Sequence, residues 1–342
     1  MKDVILTGVR SNDEPTLGNY LGAFVPMVEL QKRTAGDYQL NMFVPDLHSF
    51  TTPIDHAGLY ERTFKNLKYF VAAGLDIDQA DTYIYRQSYV PAHSELTWIL
   101  DCFTGVGEME RMTQYKEKSD GETSVSVGLF NYPVLMAADM LLYGARWVPV
   151  GDDQKQHIEM TRDIALRLNA KFGDILTPPE PWQKQFEFIS LDSGVRIRSL
   201  TNPDKKMSKS IADPRGTILL SDDPADAAKK VMGATTDSLA NVHFDWQTQP
   251  GVSNLLQILA RLSSQDQAVV NAEWEGVSRY GELKSTVAGA VEEFLTTFQA
   301  RYQAVGDEAL LAKLETSEAA MREVANATLL RVQQAVGLRP GS

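Results

Sequence analysis

Val4-Ile5-Leu6-Thr7-Gly8, followed after a polar stretch by Thr16-Leu17-Gly18-Asn19-Tyr20-Leu21-Gly22-Ala23-Phe24, decides the fold. The first run is short, apolar and closed by glycine, the pattern of a buried strand. In the second, Leu17, Leu21, Phe24 and Val28 recur at helical spacing and make one apolar stripe. Pro26 falls inside this helix and is expected to kink it, with Gly22 easing the crowding four residues earlier. The alternation continues along the chain. Met42-Phe43-Val44 reads as a strand ended by Pro45-Asp46, and a helix is expected from about Asp55 to Ala73, stopped at Gly74. Tyr83-Ile84-Tyr85 is a third strand and Trp147–Val150 a later one, ended by Gly151. Short buried strands alternating with helices predict an α/β fold with a doubly wound parallel sheet. Ligands then bind beyond the carboxyl ends of the strands, which directs attention to Gly8–Asn19, Asp46–His48 and Gly151–Gln154.

After about Asp222 strand signals almost vanish. Helical periodicity dominates Pro224–Gly233, Ser253–Leu262, Leu283–Ala304 and Asp307–Val336. The expected division is therefore 1–221, α/β, and 222–342, all helical. Two domains also suit a chain of 342 residues.

Hydrophobic residues make up 43% and charged residues 23%, which excludes a disordered or collagen-like chain. One cysteine, Cys102, excludes an intrachain disulfide and a multi-cysteine zinc or iron–sulfur site. The segment Met1–Arg10 is too short and polar for a signal peptide, and Val134–Tyr143, broken by Asp139, is too short for a membrane span. A cytoplasmic protein with no membrane partner is expected. The net charge of −12 argues against DNA binding driven by overall charge. Against that background, Arg196, Arg198, Lys205, Lys206, Lys209 and Arg215 form a basic island opposed only by Asp204 and Asp213. A local anionic ligand and a solvated loop both fit such an island.

Neither the dinucleotide pattern G-x-G-x-x-G nor the phosphate loop G-x-x-x-x-G-K-[ST] is present. Four other constellations carry chemistry. Thr16-Leu17-Gly18-Asn19 opens a helix, whose unpaired N–H groups and dipole favour phosphate; Gly18 allows close approach, and Thr16 and Asn19 add polar groups or simply cap the helix. Lys206-Met207-Ser208-Lys209-Ser210 makes a cationic loop suited to phosphate oxygens and a leaving pyrophosphate. Tyr132, Met136, Asp139 and Tyr143 share one helical face, with Pro133 expected in the first turn. That face suits an apolar ring bearing one N–H or O–H, provided Asp139 is buried and not at a solvated helix edge. Gly151-Asp152-Asp153-Gln154 follows a strand, where ribose hydroxyls or an amino group would arrive; helix capping explains its acids equally well.

Together these motifs resemble class I aminoacyl-tRNA synthetases, whose paired signatures correspond to Thr16–Asn19 and Lys206–Ser210. Gly18–Ala23, Asp46-Leu47-His48, Glu110–Gln114, Tyr132–Asp139, Val150–His157 and Pro250–Leu256 narrow the resemblance to the bacterial tryptophanyl-tRNA synthetases. The resemblance implies a Rossmann-like catalytic domain and a helical domain that reads the anticodon. It implies activation of L-tryptophan by ATP to tryptophanyl-adenylate and pyrophosphate, then transfer to the 3′-terminal adenosine of tRNA(Trp). Mg²⁺ would arrive with ATP, with no resident metal, and the enzyme would work as a homodimer. Residue by residue, it implies that Lys206, Lys209 and Lys118 act on the phosphates. Arg10, Ser11, Asn12, Thr16, Gly18, Asn19, Gly151, Asp152, Asp153, Ile197, Met207, Ser208 and Ser210 complete the ATP site with Lys206 and Lys209. Asp139 would accept the indole N–H, with Tyr132 and Gln154 at the α-amino group, Met136 on the ring, and His48 in the same pocket.

One stretch departs from the family. Ser11, Asn12 and Asp13, followed by Glu14-Pro15, stand where Pro, Ser or Thr, and Gly are usual. The expected arrangement turns Asp13 and Glu14 away from the phosphates and leaves Arg10 inward. Three other readings stand beside this one: a tyrosyl-tRNA synthetase, a nucleotidylyltransferase with a similar first motif, and a paralogue that binds tryptophan without charging tRNA.

Overall fold

In the computed structural model, which describes residues 2–8, 14–51, 53–119, 124–189, 195–208 and 213–341, the first apolar run is strand β1, Asp3–Gly8. The next segment is helical throughout but not uniform: α1 (Leu17–Asn19), one wide π turn (Tyr20–Phe24) and α2 (Val25–Thr34) follow without a break. The irregularity ahead of Pro26 is this π turn. Pro26 has no N–H to give, and its ring crowds the carbonyl four residues back. The turn ahead of it widens, so that the Val25 N–H reaches the Tyr20 carbonyl. Gly22 has a different reason from the one expected: a Cβ there would stand 2.7 Å from the Val195 carbonyl oxygen.

Strand β2 (Tyr38–Val44), helix α3 (Leu59–Ala72) and strand β3 (Thr82–Arg86) come next. Helix α3 begins later than expected because Asp55 accepts the Ala57 N–H and pairs with Arg62, which holds the chain in a turn up to the cap at Gly58. Helices α4 (Ala92–Asp101), α5 (Val106–Glu110), α6 (Thr113–Ser119) and α7 (Val127–Leu141) lead to strand β4 (Ala145–Trp147). Two expectations are corrected here. Strand β4 lies earlier than Trp147–Val150, paired to β1 through Ala145 and Trp147. Pro133 is inside α7, not in its first turn, because Ser126 caps the helix by accepting the Leu129 N–H at 3.1 Å.

The strands are all parallel, in the order β3-β2-β1-β4, with Ile5 opposite Leu40 and Met42 opposite Ile84. Alternate side chains serve two cores. Met42, Val44 and Ile84 pack with Leu17, Phe24, Leu67 and Phe70 on one face. Leu6, Phe43 and Tyr85 pack on the other, against α4, α7 and helix α8 (Lys155–Phe172).

Helix α9 (Trp182–Ile189) comes next, and α10 (Pro224–Met232), α11 (Pro250–Leu262), α12 (Gln267–Trp274), α13 (Tyr280–Ala304) and α14 (Asp307–Ala335) follow. Of these, α12 has no counterpart in the sequence reading. Helix α14 runs past the edge strand β3: Leu310 and Leu314 join the first core, and Met321, Ala325, Leu329 and Val332 join the second. An uncovered parallel edge would expose unpaired backbone groups, and α14 covers it.

Candidate functional site

Asp139, the one charged residue on α7, is 1% exposed, so the solvated-edge alternative does not hold. A buried carboxylate requires donors. Gln87 Nε2 donates to Oδ1 at 2.7 Å, His93 Nδ1 bonds Oδ1 at 2.6 Å, and His48 Nε2 bonds Oδ2 at 2.9 Å. Because a carboxylate only accepts, His93 carries its proton on Nδ1, and Nε2 then takes the Tyr143 O–H at 2.8 Å. Burial would raise the Asp139 carboxyl, but the hydrogen bonds from His48 and His93 outweigh it and hold it at about 2. Oδ1 has two partners and Oδ2 has one among the described residues, so Oδ2, beside the partly exposed His48, is the end that can accept from a ligand.

Tyr132 and Met136 lie on the same face of α7, Tyr132 buried and Met136 half-buried. The Tyr132 ring meets the His48 ring edge-on, and its hydroxyl bonds His157 Nε2 at 3.0 Å. Burial, with the Asp153 carboxylate nearby, pushes the Tyr132 phenol up to about 12. His157 lies in the first turn of α8, which follows directly on the turn Asp152–Gln154, where Gln154 Nε2 donates to Asp153 Oδ2 at 2.8 Å. A Cβ on Gly151 would stand 2.9 Å from Asp153 Oδ1, so glycine lets that carboxylate fold back over the turn. Tyr132, Met136, Asp139, His48, Asp153 and Gln154 are thus gathered at one end of the sheet by α7 and by the loops after β2 and β4.

The second part of the site lies where α1 begins. Thr16 caps α1: its Oγ1 accepts the Asn19 N–H at 3.1 Å, and Asn19 Oδ1 accepts the Thr16 N–H at 2.9 Å. Both polar residues therefore make the capping box with each other. Gly18 is buried against the chain that carries the lysines, with the Cβ atoms of Met207 and Ile197 at 3.5 and 3.6 Å from where its own Cβ would be. Ile197 and Met207 face each other in a hairpin, the Met207 N–H donating to the Ile197 carbonyl at 3.1 Å. Both side chains are in the core. Two contacts tie the return strand to the cap: Leu17 N–H to the Ile218 carbonyl at 2.9 Å and Leu220 N–H to the Pro15 carbonyl at 3.0 Å. Thr217 Oγ1 reaches the Ser208 carbonyl at 3.5 Å, and the Lys206 side chain is exposed next to this junction. The two motifs, far apart in sequence, are thereby packed together.

Arg10, Ser11, Asn12, Lys209 and Ser210 lie outside the described residues, as do the side chains of Lys118 and Asp152. Glu14 is described: Lys65 on α3 pairs with it at 3.2 Å. Its carboxylate pairs with a cation of the protein, while Asp13, the other acid of the expected outward arrangement, lies outside the described residues. Sequence reasoning missed Gln87, His93 and His157. The signal available was the buried Asp139 itself, which demands donors that had not been assigned.

Three comparisons bear on this geometry. Residues 2–296 match the family model of tRNA synthetases class I (W and Y). The chain is 43% identical over 334 residues to the tryptophan–tRNA ligase of Caldanaerobacter subterraneus subsp. tengcongensis, covering 98% of each, and 41% identical over 340 residues to that of Bacillus subtilis, covering 99% of this chain and 98% of the relative. Among solved structures it is similar to the tryptophanyl-tRNA synthetase of Mycoplasma pneumoniae, with a TM-score of 0.82, 32% identity and 99% of both chains covered. The Campylobacter jejuni tryptophanyl-tRNA synthetase, solved with ADP and tryptophan, matches with a TM-score of 0.78, 30% identity and coverage of 98% of this chain and 99% of that one. The paired motifs, the parallel sheet and near full-length identity lead to one assignment: the chain belongs to the class I tRNA synthetases for tryptophan and tyrosine.

Proposed function

We propose that this chain is a tryptophan–tRNA ligase. The tryptophan carboxylate attacks the α-phosphorus of ATP, the bond to the β-phosphate breaks, and pyrophosphate leaves. A hydroxyl of the 3′-terminal adenosine of tRNA(Trp) then attacks the acyl carbon of the adenylate and releases AMP. The protein positions the reactants and stabilises charge, so no protein nucleophile takes part.

The observation that carries the reading is the buried Asp139 carboxylate on a face shared with Tyr132 and Met136. An indole N–H can only donate, and Asp139 Oδ2 can only accept. Tyr132 and Gln154 take the α-amino group, Met136 packs on the ring, and His48 holds Oδ2 in place. ATP, carried with Mg²⁺, lies over Gly18 and Asn19 on one side and Gly151–Asp153 on the other, with the Ile197–Met207 hairpin beneath. Lys206, Lys209 and Lys118 meet the phosphates, with Arg10–Asn12, Ser208 and Ser210 completing their surroundings.

The helices after Asp222 form the anticodon-reading part, in a division at 1–221 and 222–342; the strands lie entirely before it among the described residues. The protein works as a homodimer. Supporting this, a groove of about 300 Å³ between α4 and α7 is bordered by Phe50 and Trp98, exposed at 57% and 72%. A cytoplasmic location fits a chain in which no described helix is long and apolar enough to cross a membrane.

ATP–pyrophosphate exchange with tryptophan and with tyrosine, followed by aminoacylation of tRNA(Trp), tests the reading. Exchange dependent on tryptophan with charging of tRNA(Trp) is expected. Exchange with tyrosine instead, or exchange without charging, would replace it by the tyrosyl or the non-charging alternative.

A further inference from the structure

Glu318 belongs to α14, yet its carboxylate is buried at the end of strand β3, 232 residues away in sequence. Oε1 accepts from Arg86 Nε at 2.6 Å and from the Arg86 backbone N–H at 3.3 Å, and Oε2 accepts from Nη2 at 3.0 Å. The Arg86 guanidinium carbon also lies 3.4 Å from the centroid of the Tyr89 ring and 5.7 Å from that of Tyr60. Both charged side chains are nearly inaccessible, at 7% and 3%. A buried ion pair is often no more stabilising than apolar residues of the same shape, so stability alone is a weak reason for this one.

Its position supplies a better reason. Arg86 is the last residue of β3, and the chain turns at once into Gln87–Tyr89. Gln87 is fully buried and bridges two parts of the site: its Nε2 donates to Asp139 Oδ1 at 2.7 Å, and its Oε1 accepts the Leu47 N–H at 3.2 Å. Glu318 holds both the side chain and the backbone N–H of Arg86, and so anchors the residue that immediately precedes Gln87.

We propose that Glu318 is a positioning residue for tryptophan selection: through Arg86 and Gln87 it sets the orientation of Asp139, and so couples the seating of α14 to the recognition of the indole N–H. The proposal rests on the reading of Asp139 as the indole acceptor. It makes selection of the amino acid depend on a helix of the C-terminal part.

The test compares tryptophan with 3-benzothienylalanine, in which sulfur replaces the N–H, in ATP–pyrophosphate exchange by the full chain. The unaltered protein is expected to prefer tryptophan; indifference would overturn the Asp139 assignment on which the proposal stands. In Glu318→Gln, kcat/KM for tryptophan should fall by about 2- to 30-fold, the range of couplings carried through packed networks. KM for ATP should be unchanged, and the preference over the sulfur analogue should narrow. An unchanged preference with unchanged KM for tryptophan overturns the proposal, and so does an equal loss toward both amino acids. Should Glu318→Gln fail to fold, the double variant Arg86→Met/Glu318→Leu removes both charges together and takes the same readout. Loss of the fold in both would make the pair purely structural and overturn the proposal as well.

Discussion

The two halves of the site are built by opposite means. Around Asp139 the polar atoms meet side-chain partners at 2.6–2.9 Å, and the donors come from three separate segments: the loop after β2, the turn after β3, and α4. Around Gly18 the construction is backbone against backbone, with core side chains below and exposed lysine above. The first arrangement is preorganised to discriminate, since a site built to bond one N–H leaves its buried partner unpaired when that N–H is missing. On the proposed reading, the second is a surface for a triphosphate, where charge develops only as the reaction proceeds. Selection and catalysis should therefore respond to different mutations and through different kinetic constants.

The largest effect is expected at the phosphate end. Lys209→Ala should slow adenylate formation by about 10²–10³-fold, the scale of losing one preorganised charge-stabilising group, with much smaller changes in substrate affinity. Single-turnover measurement separates the two. A rise confined to the ATP dissociation constant would make the lysine a binding residue and weaken the contrast between the halves.

At the other end, Asp139→Asn should reduce kcat/KM for tryptophan by about 5- to 150-fold, corresponding to roughly 1–3 kcal/mol for a lost buried bond. KM for ATP should hardly move. The asparagine also removes a charge that the fold uses. The Asp139 carboxyl is held at about 2, below its ordinary 3.8, so its contribution to stability is complete above the ordinary value and is lost as pH falls through about 2. Urea titrations across that interval should show a shallower acid slope in Asp139→Asn than in the unaltered protein.

Two glycines on one helical stretch sharpen the comparison. A Cβ at position 22 would meet the Val195 carbonyl oxygen at 2.7 Å, so Gly22→Ala should lower stability by about 1–3 kcal/mol. At position 18 the nearest atoms are at 3.4–3.6 Å, which an alanine can occupy with little strain. Gly18→Ala should therefore melt close to the unaltered protein and lose ATP affinity. A lowered melting temperature with normal ATP use would assign Gly18 to packing instead.

The smallest effect belongs to the unusual loop. Glu14→Gln breaks a pair whose lysine is 47% exposed, worth less than about 1 kcal/mol. The Mg²⁺ dependence of exchange should stay as it was. A higher Mg²⁺ requirement would move the Glu14 carboxylate into the metal's surroundings.

The fold was legible because it rests on periodicity. Ile5, Met42 and Ile84 sit in short apolar runs that only a sheet covered on both faces can bury, and the helices after Asp222 announce themselves by their stripes. Local boundaries were less legible where side chains intervene: Asp55 delays α3, and Ser126 starts α7 ahead of Pro133. In the site, Asp139 was identifiable as the one charge in an apolar helix face. Its donors were not, because Gln87 and His93 reach it from other elements, and no spacing along the chain encodes that meeting. The juxtaposition of Gly18 with Met207 was likewise expected only through family resemblance. Glu318 left no local mark at all, being one glutamate among many on an amphipathic helix.

The path of α14 along β3 also sets a schedule. On a ribosome the edge strand emerges long before the helix that covers it, and the 232 residues separating Arg86 from Glu318 take roughly 10–50 s to synthesise at 5–20 residues per second. For that interval β3 presents an open edge and Arg86 lacks its carboxylate, so the nascent chain passes through a window in which edge-to-edge association competes with completion of the fold.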